Sequence, residues 1–225
     1  MSKRTAWVVG ASGQVGSACV ALLCNDPRYS SVMGIVRRAT ALRHENYREA
    51  VIDFDDMRSL ADAGHCDDIY FALGQSSRDK ALFLQVDCAY PVALARLAQQ
   101  HGARRIGYIS SLGANLASTN DYFQVKARAE TELSALGFDS VFFIRPSMIY
   151  GSKDARRPLQ RLSRHVTELL GWAFAGPLKK YRAVSATCVA ATLIDALNSP
   201  RRGNHPIESD EIPQKAPPWA ARHTH

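Results

Sequence analysis

The sequence predicts an α/β fold, built as a doubly wound parallel sheet. Three observations predict it. A short apolar run, Ala6-Trp7-Val8-Val9, ends in the glycine turn Gly10-Ala11-Ser12-Gly13-Gln14-Val15-Gly16, and a helical pattern follows. Five more apolar runs, at 31–36, 50–54, 68–74, 105–109 and 140–144, alternate with helical patterns. That alternation implies parallel strands with right-handed crossovers. The run at 68–74 is apolar along its length, as a strand buried on both faces should be. The expected sheet is Rossmann-type, in the order 3-2-1-4-5-6 with room for a seventh strand. A small C-terminal substrate-side segment is expected after it.

The first unit carries the chemistry of an anion cradle. Gly10 lets the chain leave the strand in a tight turn. Gly13 has no Cβ to obstruct a pyrophosphate, and Gly16 lets the helix lie close to the sheet. The first N–H groups of that helix, beside Ser12, Gln14 and Val15, have no partner inside the helix and point at the anion. The spacing is G-x-x-G-x-x-G, so the turn gains its specificity from residues further along the chain.

The second strand ends at Arg37-Arg38, and no carboxylate stands between positions 31 and 44. An NAD site places an Asp or Glu near this point for the ribose 2′-hydroxyl. A guanidinium there meets a 2′-phosphate, so the sequence favours NADP(H) over NAD(H). The third strand, 50–54, carries Asp53 and Phe54 at its end, and a short helix over 55–63 closes at Gly64. The fourth strand delivers Leu73 and Gly74. A helix over 79–100 is expected to break and restart around Asp87 and Pro91, with Asp87 read as a helix cap. The fifth strand delivers Ser110-Ser111. A helix over 121–136 is capped by Gly137, and the sixth strand stops at Arg145-Pro146.

Tyr122 and Lys126 are four apart, hence on one helix face. An ammonium beside a phenol favours the phenolate, which makes Tyr122 a candidate proton donor to a developing alkoxide. A serine hydroxyl at the fifth strand's end can hold a substrate carbonyl; spacing alone does not separate Ser110 from Ser111.

After position 147 the alternation is lost. Helices are expected over 156–175 and 186–197, with 147–200 closing over the site. One domain spans 1–212, and 213–225, rich in Pro, Ala and His, is expected to be a flexible tail. Between Lys153 and Arg182 stand eight Lys and Arg against Asp154 and Glu168. That stretch is either a solvated helix face or a surface for an anionic partner. No nucleic-acid module accompanies it.

Composition bounds the remainder. The chain has 225 residues, 46% hydrophobic, with a net charge of +7. A packed core is expected, no run is expected to span a membrane, and the absence of an export signal points to the cytoplasm. Five scattered cysteines read as reduced core thiols. The seven histidines form no metal-ligand spacing.

The chain resembles the short-chain dehydrogenase/reductase superfamily in its extended or atypical branch. Within it, the resemblance is to the NAD(P)-binding proteins related to the Tat-interacting oxidoreductase. It rests on residues 10–16, Asp53-Phe54, Ala72-Leu73-Gly74, Val86-Asp87, residues 110–115, Tyr122 to Lys126 with Glu130, and Arg145-Pro146. It implies Tyr122 as catalytic acid/base and Lys126 as a ribose ligand that tunes Tyr122. Ser111, with Ser110 as the alternative, would polarise the substrate carbonyl. Asp53, with Phe54 beside it, would meet the adenine. Leu73 and Gly74 would line the ribose–nicotinamide stretch, and Pro146 the carboxamide. The function implied is an NADP(H)-dependent reductase of a small carbonyl compound. The alternatives are an NADPH-binding regulator with little activity, or an epimerase or dehydratase. A homodimer is one expected assembly.

Overall fold

The computed structural model describes residues 3–74, 79–150 and 180–221. The chain opens with β1 (Arg4–Val9), α1 (Gln14–Cys24), β2 (Tyr29–Val36) and β3 (Tyr47–Val51). Next come β4 (Asp68–Phe71), α2 (Lys80–Leu84), α3 (Tyr90–Gln100) and β5 (Arg105–Ile109). The chain continues with α4 (Asp121–Ser134), β6 (Ser140–Arg145), β7 (Ile149–Tyr150), β8 (Val184–Ser185), α5 (Ala186–Leu197), β9 (Gly203–Glu208) and α6 (Pro218–Ala221). Seven strands form one sheet in the order β3-β2-β1-β4-β5-β6-β9, every pair parallel. The seventh strand is β9, beyond β6. β7 and β8 pair separately, Ile149 opposite Val184.

Two apolar layers sandwich the sheet. One contains Val8, Leu22, Leu23 and Tyr70 with α5 residues Leu193, Ile194 and Leu197. The other contains Trp7, Ile69, Phe71, Leu94, Tyr108 and Leu133. Successive β1 residues thus point to opposite layers, as the pleat requires. Trp7, Val8 and Val9 are all buried, which is why this strand reads as a continuous apolar run.

Several expectations are corrected. Residues 52–54 lie past the end of β3, because Asp53 turns the chain: it bridges to Asp56 and accepts the Asp55 N–H. The helix over 55–63 contracts to a 3-10 turn, Met57–Leu60, capped by Asp56. The expected break at Asp87–Pro91 is a π-turn, Gln85–Ala89, inside one continuous helix whose N-cap is Asp79. This helix, Lys80–Gln100, is long and apolar enough to cross a membrane by length and composition, contrary to expectation. Its apolarity serves a face packed on the sheet, where Val92, Leu94, Ala95 and Ala98 are buried. α5 does not close over the site. Nine of its twelve residues are buried, and it covers the sheet beside α1. The helix expected over 156–175, and all of the basic stretch except Lys180 and Arg182, lie outside the described residues. The expected flexible tail is packed as far as it is described. Ala220 is fully buried, Trp219 donates to Asp195 (3.3 Å), and the Arg28 guanidinium lies over the Trp219 ring. All five cysteines are buried, and burial pushes the Cys19 and Cys24 thiols up to about 12.

Candidate cofactor and catalytic pocket

A cavity of about 440 Å³ opens at the carboxyl ends of the central strands, where open α/β sheets take ligands. Gly13, Gln14 and Val15 line it from the start of α1, Leu73 and Gly74 from beyond β4, and Ser110 and Ser111 from beyond β5. Tyr122 and Lys126 reach it from α4, and Pro146 from beyond β6.

The glycine turn does what its spacing suggests. Gly10 has φ +83°, a left-handed conformation that favours glycine, and a Cβ there would meet the Ala72 carbonyl at 2.8 Å. A Cβ on Gly16 would lie 2.1 Å from the Gly10 carbonyl oxygen, so the helix can sit this close only with glycine. Gly13 is the N-cap and offers no side-chain cap, and the first turn of α1 holds no acidic residue. Among the described residues the first N–H groups of α1 are therefore unpartnered at the cavity, with the positive end of the helix dipole behind them. Gly10 and Gly16 shape the turn from behind, and Ser12 is exposed outside the cavity lining.

The two serines separate by their partners. The Ser110 hydroxyl donates to Glu130 Oε1 at 2.5 Å, and Arg145 grips the same carboxylate through Nε (2.9 Å) and Nη2 (2.6 Å). Arg145 Nη1 also reaches Glu208 on β9 (2.8 Å). Ser110 thus belongs to a chain of bonds tying β5, α4, β6 and β9 together. Among the described residues Ser111 donates only to its neighbour's carbonyl, Leu112 O, at 3.3 Å, a length at which the hydroxyl readily turns to a ligand. Spacing could not show this difference in partners, because it is set by Glu130, twenty residues downstream of Ser110.

Tyr122 stands at the cavity with its ring edge-on to Phe83 (5.7 Å) and beside Phe123 (5.5 Å). Its N–H is capped by Asn120. Among the described residues its hydroxyl has no hydrogen-bond partner.

Lys126 is 2% exposed, an extreme for lysine. Its Nζ donates to the Ile109 carbonyl (2.9 Å) and to Tyr108 Oη (3.2 Å), and lies 2.8 Å from Asp87 Oδ1. It is 6.0 Å from the Tyr122 ring centre. Burial alone would push the ammonium's pKa down. Tyr108, Asp87 and Tyr122 outweigh burial and hold it above the ordinary lysine value. Burial likewise pushes the Tyr108 phenol above its ordinary value. Asp87, expected as a helix cap, is instead the buried counter-charge of Lys126. Asp87 and Tyr108 are the residues that motif reading missed; the pairing of Asp87 with Pro91 was the available signal.

The adenine side is looser. Arg37 and Arg38 are exposed, lie outside the cavity lining, and make no ion pair among the described residues. Asp53 is exposed, with one carboxylate oxygen taken by the Asp55 N–H. The Phe54 side chain is in the core against Tyr90 (5.3 Å), which leaves only its backbone for a ligand. A carboxylate that the local sequence did not show arrives from β3. Glu49 accepts the Thr40 N–H (2.9 Å), the Thr40 hydroxyl and the Tyr47 hydroxyl (2.9 Å), pinning the loop after Arg38.

The fold and the glycine cradle define a Rossmann-type NAD(P)-binding protein. Family comparison agrees: residues 10–200 match the family described as NAD(P)H-binding, and the chain belongs to it. By sequence it is similar to Protein HTATIP2. The Rattus norvegicus protein of that name is 28% identical over 209 residues, covering 90% of this chain and 85% of its own. Protein fmp52, mitochondrial, of Aspergillus fumigatus is 27% identical over 215 residues, covering 91% and 92%. Among solved structures, a short-chain dehydrogenase/reductase superfamily protein from Agrobacterium tumefaciens with bound NAD superposes with TM-score 0.70. It is 18% identical and matched over 96% of this chain and 80% of its own. A UDP-N-acetylglucosamine 4-epimerase from Methanobrevibacter ruminantium M1 superposes at 0.69, with 16% identity over 92% and 77%. At these identities the two structures show the fold alone. The relatives correct one expectation. Fungal proteins matched over nearly the whole chain are named mitochondrial, so the cytoplasmic placement does not stand. It had rested on a missing export signal, which does not distinguish one interior compartment from another.

Proposed function

We propose that the protein is an NADP(H)-dependent reductase of a small carbonyl compound. One observation carries the reading: Ser111, Tyr122 and Lys126 line the same cavity as the uncapped start of α1. The cofactor supplies a hydride from its nicotinamide ring, and the chain binds, orients and protonates. The α1 N–H groups at 14–16 hold the pyrophosphate. Leu73, Gly74 and Pro146 flank the nicotinamide half. Asp53 and the Phe54 backbone meet the adenine, and Arg37 and Arg38 take the 2′-phosphate.

Ser111 donates to the substrate carbonyl oxygen. Tyr122, whose hydroxyl has no hydrogen-bond partner among the described residues, gives its proton to the same oxygen as negative charge develops there. The Lys126 cation stabilises the phenolate left behind. Ser110 is excluded from the first role because Glu130 already takes its hydrogen.

The test is a panel of aldehydes, ketones and quinones scored by NADPH oxidation, with Tyr122→Phe as the control. Turnover that vanishes in the variant while NADPH still binds supports the reading. An untouched panel with tight NADPH binding overturns it in favour of a cofactor-binding regulator. The epimerase alternative has the sugar-nucleotide enzymes among its fold neighbours behind it. It predicts substrate isomerisation with no net consumption of NADPH.

A further inference from the structure

We propose that Glu49 is the specificity-determining positioning residue of the cofactor's 2′ end: reaching over from β3, it holds the loop after β2 so that Arg37 and Arg38 stand open to a 2′-phosphate. The proposal rests on the reading of those two arginines as the partners of the phosphate.

The local sequence sets the problem. β2 ends at Val36 and β3 begins at Tyr47, and residues 37–46 between them form neither helix nor strand. A connection of that length needs partners for its backbone groups and something to fix its path. Thr40 is its hub. The Leu42 N–H donates to the Thr40 hydroxyl oxygen (3.1 Å), and Arg43 Nη1 donates to the Thr40 and Leu42 carbonyls (3.0 and 2.7 Å). Thr40 in turn hangs on Glu49. Its N–H donates to Oε2 (2.9 Å) and its hydroxyl to Oε1.

The same carboxylate also reaches the glycine turn. Glu49 and Tyr47 are two apart on a strand, hence on one face of the sheet, and Glu49 stands opposite Gly34 of β2. The Tyr47 hydroxyl donates to Glu49 Oε1 (2.9 Å). It lies over Gly34, where a Cβ would come 2.2 Å from Tyr47 Oη and 2.9 Å from the Ala11 Cβ. A side chain at position 34 would displace the phenol, so the bare glycine is what lets it lie beside Ala11. Burial and Glu49 push the phenol's pKa up, so it stays a hydrogen donor. Through Tyr47, Glu49 ties the arginine loop to the turn that takes the pyrophosphate. A 2′-phosphorylated nucleotide must meet both at once.

Charge explains how a carboxylate can serve an anion site. An acidic side chain at the end of β2 would accept from a ribose 2′-hydroxyl and repel a 2′-phosphate. Glu49 comes one strand further out, and uncharged donors occupy both its oxygens. Against burial, these bonds and the nearby Arg43 hold the carboxyl below its ordinary range. Because Thr40 and Tyr47 satisfy it, Glu49 takes no ion pair from Arg37 or Arg38 among the described residues.

The experiment measures calorimetric Kd values for NADPH, NADH and adenosine 2′,5′-bisphosphate on wild type, Glu49→Ala and Thr40→Val. Wild type should prefer NADPH. Glu49→Ala should weaken NADPH and the bisphosphate about tenfold, and NADH less than roughly twofold. Thr40→Val keeps the N–H bond to Glu49 and loses the hydroxyl bond, so it should move the ratio the same way by about threefold. A Glu49 that only stabilised the fold would lower the melting temperature and leave the ratio alone. An NADPH preference that survives Glu49→Ala overturns the proposal while the role of the arginines stands. Equal affinities in wild type overturn the arginine reading and the proposal with it. Should Glu49→Ala fold poorly, Thr40→Val decides, and an unchanged ratio there overturns the proposal.

Discussion

Two buried aspartates, one at each end of the sheet, are treated in opposite ways. Asp68 begins β4 at the amino end. Its carboxylate is met by Arg4 (3.1 Å), by Arg105 (2.5 Å) and by the Tyr29 hydroxyl (2.5 Å), which in turn meets Tyr70 (2.8 Å). Asp87, at the carboxyl end, is met among the described residues by one cation, Lys126, at 2.8 Å. The same contrast runs through other charges. Arg4 and Arg105 at the amino end are paired, whereas Arg37 and Arg38 beyond β2 make no ion pair among the described residues. Saturated buried charge fixes the register of four strands and leaves nothing to react. Asp87 instead meets Lys126 of the cavity lining, at the end of the sheet where open α/β folds take ligands.

The largest expected effect lies at the open end. Tyr122→Phe keeps the ring against Phe83 and Phe123 and removes only the hydroxyl. Turnover should fall about 10²–10⁴-fold with melting temperature and NADPH affinity unchanged. Near-full activity in that variant, measured by NADPH oxidation, would break the contrast. Asp68→Asn should do the reverse. It leaves Arg4 and Arg105 without their counter-charge and should cost up to about 3 kcal/mol in denaturant unfolding, because relief of the buried Asp68 charge offsets part of the loss. That is the low end for a broken buried pair, because both arginines keep some solvent. Its turnover per folded molecule should be that of wild type. A catalytic defect in Asp68→Asn would show that the two ends are coupled.

How much of this was legible in the sequence depends on the range of the interaction. The strand order, the glycine cradle and the shared face of Tyr122 and Lys126 come from periodicity and short spacing. What escaped was set by partners distant in sequence. Glu130 gives Ser110 a partner that Ser111 does not share, and Asp87 reaches Lys126 across helices. Glu49 pins Thr40 from the next strand. Asp87 and Pro91 were visible as an interruption. A proline's missing N–H does not say which hydroxyl will claim the freed carbonyl. β9 escaped for a related reason. It is an edge strand with only Ile207 buried, so it shows no apolar run. The residues after 212 read as a tail because Pro and Ala carry little pattern, yet Trp219 anchors them on Arg28 and Asp195.

The unpaired arginines sharpen the comparison next. If they are kept open for a 2′-phosphate, each charge-assisted contact contributes about 1.5–3 kcal/mol, so one alone implies roughly tenfold or more in favour of NADPH. Arg37→Ala/Arg38→Ala should erase that preference and leave NADH affinity as it was. Calorimetric Kd values for both cofactors on both proteins decide it. Equal affinities in wild type, or a preference that survives the double substitution, would return Arg37 and Arg38 to being a solvated strand end.

The smallest expected effect concerns the loop behind those arginines, and it turns on the sign of two pKa shifts. Burial would push the Glu49 carboxyl up, but the bonds from Thr40 and Tyr47 outweigh it and hold it below the usual range. Its contribution to stability is therefore complete above the unfolded value near 4.3 and is lost as pH falls through the lower folded value. Asp68 behaves oppositely. Burial pushes it up despite Arg105, Tyr29 and Arg4, so its ionised form costs stability at neutral pH. That cost is relieved as pH falls through the raised folded value toward about 3.9. Thr40→Val removes the hydroxyl bond to Glu49 and keeps the Thr40 N–H bond. It should cost about 1 kcal/mol at pH 7. The difference from wild type should shrink as the carboxylate is protonated, in unfolding curves taken from pH 7 down to about pH 3. The acid response that belongs to Asp68 should be untouched, because Thr40 has no contact with that end of the sheet. A deficit that stays constant across the range would mean that Thr40 acts by packing, and that Glu49 does not pin the loop through its charge.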